Sequence, residues 1–268
     1  MNNIHPTAII DPSAKLDPSV KVGPYTVIRE DVVGGAGTVI GAHAVLEFVH
    51  MGKDNIISDA SYIGVAPQDL KYAGEPTRLV MGERNQVREG VTLNRGTKAT
   101  GETRIGSGCM FMALSHVAHD CRIGDGVILV NSVGLAGHVE IGDYVVVGGL
   151  CGVHQFVRIG RLCMVSGGSM VGKDVPPFCT AQGDRASLRG LNSLGLRRAG
   201  IAPAAVRAIK NAYATLFSSG LRLEEAVAQL RSSKPCPEVV EMLDFIAQAK
   251  RGVMRPLSGV EEDAGVEA

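Results

Sequence analysis

The sequence predicts a mainly β solenoid, a parallel β-helix, followed by a small α-helical C-terminal domain. Three observations predict it. Large apolar residues recur every six positions over most of the chain. The composition is rich in glycine and poor in rings, with 34 Gly, 4% aromatic residues and no Trp among 268 residues. Beyond Pro176-Pro177 the six-residue frame fades and helix-boundary signals take over. A globular core usually draws much of its burial from aromatic side chains. This one must be filled by aliphatic and small residues instead.

The repeat is clearest from Ile105 onward. The lead positions are Ile105, Phe111, Val117, Ile123, Leu129, Leu135, Ile141, Val147, Val153, Ile159, Val165 and Val171. Glycine often follows the lead, as at Gly106, Gly124, Gly142, Gly148, Gly160 and Gly172. The same frame opens the chain at Ile4, Ile10, Leu16, Val22 and Ile28, has a weak lead at Gly34, and continues through Ile40 and Leu46. It slips by one residue to Met51, Ile57 and Ile63, breaks, and resumes at Met81, Val87 and Leu93. A period of six is neither the 3.6 of a helix nor the 2 of an ordinary strand. It fits short strands joined by tight corners, with the lead and the fourth residue after it pointing inward and Gly expected at the corners. Three hexads make a triangular coil of about 18 residues. Stacked at about 4.8 Å, some nine coils give a prism roughly 40 Å long. This domain is assigned to residues 1–186. Cys109, Cys121, Cys151 and Cys163 fall on the small inward position, where free Cys packs as a small hydrophobe.

Two insertions interrupt the frame, at 66–79 and 98–103. Long loops on a regular scaffold tend to carry function. Helical signals begin near Leu188. Pro203 suits the first turn of a helix that runs to about Ser218 and is ended by Gly220. A short helix is expected from Leu223 to Leu230, and another from Pro237 to about Arg251, closed by Gly252. These form the helical domain, 187–256. Residues 257–268 carry Glu261, Glu262, Asp263 and Glu267 and read as a mobile acidic tail.

Charge narrows the function classes. Lys+Arg and Asp+Glu both number 27, which argues against a general nucleic-acid binder. No apolar run approaches the roughly 20 residues of a bilayer span. The start, Met1 to Pro6, shows no basic region leading into an apolar stretch, so no secretory signal is expected. Six Cys without a CxxC pair do not resemble a disulfide framework. The expectation is a cytoplasmic protein without an integral membrane segment. The neutral total hides a basic cluster, Arg185, Arg189, Arg197, Arg198, Arg207 and Lys210, able to attract phosphates or an acidic partner.

Four of the seven His are concentrated in one region: His116, His119, His138 and His154. An 18-residue coil places 119, 137 and 155 in register, so His119, Gly137-His138 and His154-Gln155 stack on successive coils. Two chemistries can use such a column. One is a metal site, since neutral imidazole is a common ligand. The other is general-base catalysis, with the adjacent Asp120 orienting His119.

The hexads, the loop segment Gln68-Asp69-Leu70-Lys71-Tyr72-Ala73-Gly74-Glu75-Pro76-Thr77, the run His116-Val117-Ala118-His119-Asp120, and the pieces Gly137-His138 and His154-Gln155-Phe156 occur in this order. So do Asp174-Val175-Pro176-Pro177 and Ala181-Gln182-Gly183. Together they closely resemble the acyl-carrier-protein–UDP-N-acetylglucosamine O-acyltransferases, which catalyse the first step of lipid A biosynthesis. The resemblance implies a left-handed β-helix and a homotrimer with active sites between subunits. It implies no cofactor beyond the phosphopantetheine thioester of the acyl carrier protein, the (R)-3-hydroxyacyl donor, and no bound metal. It makes His119 the base for the glucosamine 3-hydroxyl, Asp120 its orienting partner and the Gly137 N–H the oxyanion donor. Gln68, Asp69, Lys71, His116, His138, His154 and Gln155 become substrate-positioning residues. Asn192 and Arg198 become contacts to the nucleotide and its pyrophosphate. Gly167, Met170 and Arg185 are candidates for setting acyl length. The chain departs from the common family pattern at Asn94, Leu194 and Ala199. N-acylation of a 3-amino sugar nucleotide and a zinc-dependent hexapeptide-repeat enzyme are the alternatives.

Overall fold

The computed structural model describes residues 3–257. The expected tail beyond Leu257 lies outside the described residues. The hexads wind into a prism with three faces of parallel strands. The first face holds nine strands, among them His116–Val117, Gly134–Leu135, Gly152–Val153 and Met170–Val171. The second holds eight, including Arg122–Ile123, Glu140–Ile141 and Arg158–Ile159. The third ends on a hairpin, where Ser187–Leu191 runs antiparallel to Cys179–Gln182.

Register follows the coil. His116 pairs with Gly134, Gly134 with Gly152, and Gly152 with Met170. In most two-residue strands the lead is buried and the residue before it faces out, as in Ile128–Leu129 and Gly134–Leu135. The leads and the small residues between them, including Cys109, Cys121, Cys151 and Cys163, form one continuous core. Only the first coil is loosely packed. Ile4 is exposed, and Ile10 and Leu16 are half-buried, because among the described residues no preceding coil covers them.

The corners correct one expectation. The left-handed backbone conformation is taken mostly by residues other than Gly, among them Leu114, Asp120, Ser132, His138, Tyr144, Leu150 and Phe156. Each costs roughly 1–2 kcal/mol locally. Stacking offsets this, because the corner N–H bonds the coil below: His138 to the His119 carbonyl, Tyr144 to Asp125 and Leu150 to Asn131. The glycines after the leads, Gly172 excepted, serve close approach instead. A Cβ on Gly106 would lie 2.7 Å from the backbone carbonyl carbon of Gly124.

Both insertions end earlier than the sequence suggests. Arg78 and Leu79 already belong to the strand Arg78–Met81, and Glu102 and Thr103 to Glu102–Ile105. Leu188 does not begin a helix. It sits in the antiparallel strand Ser187–Leu191, where a sheet edge outweighs local helical preference. Four helices follow: α1 (Ser193–Arg198), α2 (Pro203–Ser218), α3 (Leu223–Ser232) and α4 (Pro237–Ala247). Pro203 and Pro237 open their helices as expected. The last helix stops at Ala247, short of Arg251. The helices bury Ile209, Tyr213, Leu216, Met242, Leu243 and Ile246. They dock on the prism through Arg161, paired with Glu241 at 2.8 Å, and Arg158, whose guanidinium lies 4.4 Å over the Phe245 ring. The chain then returns to the prism, bridging Asp174 to Val253 and Leu188 to Pro256.

Candidate active site

The dyad stands on a corner. Asp120 has φ +60°, and this turn directs the His119 ring outward while the Asp120 carboxylate stays buried. His119 Nδ1 lies 2.8 Å from Asp120 Oδ2. Asp120 Oδ2 also accepts the Thr97 hydroxyl at 2.7 Å, and Oδ1 accepts the Thr97 N–H at 3.0 Å and the Thr100 hydroxyl. Burial alone would push this carboxyl upward. The hydrogen bonds from Thr100, His119 and Thr97 outweigh that and hold it at about 2. The carboxylate is therefore ionised and accepts only, so Nδ1 of His119 carries the proton and Nε2 offers a lone pair.

The ring of His119 rests on Gly137. A Cβ at 137 would lie 2.6 Å from His119 Cε1 and 2.7 Å from Nε2. The glycine is needed for space, since its φ is outside the left-handed region. Its neighbour His138 meets the His119 ring edge-on at 5.3 Å and stacks on Phe156 at 4.5 Å. Burial lowers the proton affinity of His138, with the neighbouring His119 acting in the same direction and Asp120 and Asp69 against it. His116 is also lowered, first by burial and then by His119, and its Nδ1 is 2.7 Å from the Thr92 hydroxyl.

Single ligand atoms of His119, Asp120 and His138 lie within 4.8 Å of one another, close enough to hold a metal. The carboxylate argues against it. Two oxygens offer about four lone-pair positions, and Thr97 N–H, Thr97 Oγ1, Thr100 Oγ1 and His119 Nδ1 fill them. Such a set orients a base better than it binds an ion.

Beside the dyad runs a groove of about 1100 Å³. Gly134 and Gly152 form its floor, His116 and His119 one end, and Met170 with Arg185 the other. Gln68, Gly137, His154 and Gln155 line it as well. The structure thus gathers most of the predicted residues at one place. Asp69 acts on His138 through its charge and accepts the Lys71 N–H at 3.0 Å. Lys71 itself is exposed and does not line the groove. Gly167 sits at another corner, against the Gly149 carbonyl. Asn192 caps α1, accepting from Gly195 N–H and donating to the Leu162 carbonyl, and Arg198 is exposed in the last turn of α1. Within one chain neither lines the groove.

Sequence reasoning missed the threonines. Thr97, Thr100 and Thr103 surround Asp120, and their place in or beside the second insertion was the only signal. It also missed the segment Met254–Leu257, which closes the groove beside Met170 after a long excursion through the helices. The anchor of the first loop was equally hidden. Buried Arg95 donates to the Tyr72 hydroxyl at 3.0 Å, to Glu47 at 2.9 Å and to the Gly64 carbonyl at 2.9 Å, and lies 4.4 Å over Phe48. The frame slip at Glu47-Phe48 and the loop of Tyr72 are thereby one structure.

A prism of hexapeptide coils with a His–Asp dyad over a long groove defines a hexapeptide-repeat transferase. Residues 102–137 match the family model for bacterial transferase hexapeptide repeats, and 174–254 match the second domain of UDP N-acetylglucosamine O-acyltransferase. The chain belongs to the acyl-[acyl-carrier-protein]–UDP-N-acetylglucosamine O-acyltransferase family. It is 45% identical to the member from Thermodesulfovibrio yellowstonii over 95% of this chain and all of that one. It is 51% identical to the member from Anaeromyxobacter over 76% of this chain and 80% of that one. Among solved structures, LpxA from Acinetobacter baumannii superposes with a TM-score of 0.91 at 42% identity, covering 94% of this chain and 99% of that one.

Proposed function

We propose that this protein transfers an (R)-3-hydroxyacyl chain from acyl carrier protein to the 3-hydroxyl of UDP-N-acetylglucosamine, the opening step of lipid A biosynthesis. The observation that carries the reading is the His119–Asp120 dyad with its free Nε2 facing a groove walled by Gly137. His119 Nε2 removes the proton of the sugar hydroxyl. The oxygen attacks the thioester carbonyl, and the Gly137 N–H stabilises the oxyanion, a contribution of about 3 kcal/mol for one such donor. The intermediate collapses, the carbon–sulfur bond breaks, and the departing phosphopantetheine thiolate takes the proton back from His119. The carrier's thioester supplies all the activation, so no further cofactor is required. The low proton affinity of His116 and His138 suits neutral, hydrogen-bonding contacts to the sugar.

His116, His138, His154, Gln155, Gln68 and Asp69 are assigned to the acceptor. The acyl chain runs over Gly134 and Gly152 toward Met170 and Arg185. Gly167, set apart from that path, has weaker support. Asn192, Arg198 and Lys71 reach a substrate only if they serve the groove of a neighbouring copy. A homotrimer provides this, and the apolar run of Met110, Ile128, Val146 and Met164 on the outside of the third face supports it. Acyl carrier protein, an acidic partner, fits the exposed Arg197, Arg198, Arg207 and Lys210. A cytoplasmic reaction fits these partners. Among the described residues no helix is long and apolar enough to cross a membrane.

The test is acyl transfer from a mixture of acyl-carrier-protein donors to UDP-N-acetylglucosamine and to its 3-amino analogue, read by mass spectrometry. The 3-hydroxyl acceptor should turn over, and His119→Ala should lower kcat by about 10²–10⁴-fold. Preference for the amine would favour N-acylation. A requirement for stoichiometric zinc would favour the metal-dependent alternative. Near-normal turnover of His119→Ala would overturn the mechanism.

A further inference from the structure

The second break in the hexad frame lies against the His–Asp dyad. The strand Thr92–Asn94 pairs with His116–Val117, six residues further along than a plain coil would give. The extra residues fold over the buried end of the dyad. Thr97 closes on Asp120 with both its N–H and its hydroxyl, and Thr100 adds a second hydroxyl from the loop. Thr103 completes the set by accepting the Asp120 N–H at 2.8 Å. Thr97 is itself braced, its oxygen accepting the Ala99 N–H at 3.2 Å.

We infer that this insertion is a threonine clamp on the dyad carboxylate, and that Thr97 and Thr100 are positioning residues for the base. The inference rests on His119 being that base. The physical case is as follows. The carboxyl torsion of Asp is broad and roughly two-fold, so the side chain alone does not fix where Oδ2 points. Donors on both oxygens do fix it, and they leave one lone pair of Oδ2 aimed at His119 Nδ1. The Thr100 hydroxyl has one proton and two acceptors within reach, Asp120 Oδ1 and the Glu102 carbonyl at 2.8 Å. The ionised oxygen is the stronger acceptor and takes it. With Oδ2 fixed and accepting, the imidazole is held in the tautomer that leaves Nε2 free over Gly137. Removing a clamp hydroxyl lets the carboxylate turn and the proton migrate to Nε2, and that form of the ring cannot act as a base.

The test uses the full-length enzyme with Thr100→Ala, Thr97→Val, Thr97→Ser and Thr100→Ser. Thr100 is exposed, so Thr100→Ala should fold normally even if Thr97→Val does not. Loss of one bond to a charged group should lower kcat about tenfold to a hundredfold, with KM for both substrates unchanged within about twofold. The Ser variants should restore most of the rate. Nitrogen-15 shifts of His119 should report the Nδ1–H tautomer in the parent and a mixture in Thr100→Ala. Wild-type kcat in Thr100→Ala, Ser variants as slow as the Ala and Val ones, or an unchanged tautomer would overturn the clamp. His119→Ala separates the two readings. If it stays active, the base assignment fails; if it is inactive while Thr100→Ala is fully active, the clamp alone fails.

Discussion

At the scale of single residues, the site is governed by one missing side chain and one buried charge. Gly137 has no Cβ because the His119 ring occupies that space at 2.6 Å. Gly137→Ala should therefore push the ring off its position and lower kcat by about a hundredfold. Its backbone does not require glycine, so the melting temperature should change little. Asp120 gives a pH signature. Its folded carboxyl titrates at about 2, below the ordinary 3.8. The unfolded chain thus takes up its proton first as pH falls. The stabilisation is complete above about pH 4 and mostly gone by pH 2, and at about 1.4 kcal/mol per unit it amounts to roughly 2 kcal/mol. Urea denaturation should show the parent's advantage over Asp120→Asn shrinking by about that amount across this window. A pH-independent gap would place the stabilising interaction elsewhere.

At the scale of elements, the strand register converts sequence spacing into a ruler. His116, Gly134, Gly152 and Met170 occupy one outward column on four successive coils. Two glycines leave a trough, and Met170 ends it. Its sulfur already fills the space a Cβ on Gly152 would need, at 2.8 Å. Met170→Gly should lengthen the trough and move donor preference toward longer chains. Each further methylene that becomes buried contributes about 0.8 kcal/mol, or several-fold in kcat/KM. Competition between donors of different length, read by product mass, checks this; an unchanged preference would move the stop to Arg185 or to Met254 and its neighbours.

At the scale of the whole molecule, the three faces differ in what they offer. The second carries Arg104, Arg122 and Glu140 outward and suits water, up to Arg158, where the last helix covers it. The third carries Val39 and Ile56 outward, then Gln86, then Met110, Ile128, Val146 and Met164. The corner between the first and third adds Leu114 and Leu150, both about two-thirds exposed. The unbroken apolar run from Met110 to Met164 is the surface on which the proposed contact between copies would form. Ile128→Glu should shift the assembly toward monomers in sedimentation velocity and lower turnover with it. A monomeric parent, or full assembly of the variant, would count against this face.

The sequence by itself determined the repeat, the inward leads, the dyad and the column of His sites. All of these follow from a strict period, which turns linear spacing into spatial register: residues 18 apart must be neighbours. Pro203 and Pro237 were legible for a similar reason, since a local rule sets a helix start. The tertiary structure alone decided what depends on a break in the period. A loop of twelve or six extra residues has no register to read, so the threonine clamp and the Arg95–Tyr72 anchor could not be placed. Leu188 became a strand because a free sheet edge lay beside it, and Met254–Leu257 reached the groove only after the helices had packed. The corners tell the same story. Gly was expected there, yet Asp120 and His138 occupy the left-handed conformation because bonds between stacked coils offset its cost. Two residues of the candidate site thus stand where local preference is overruled by stacking.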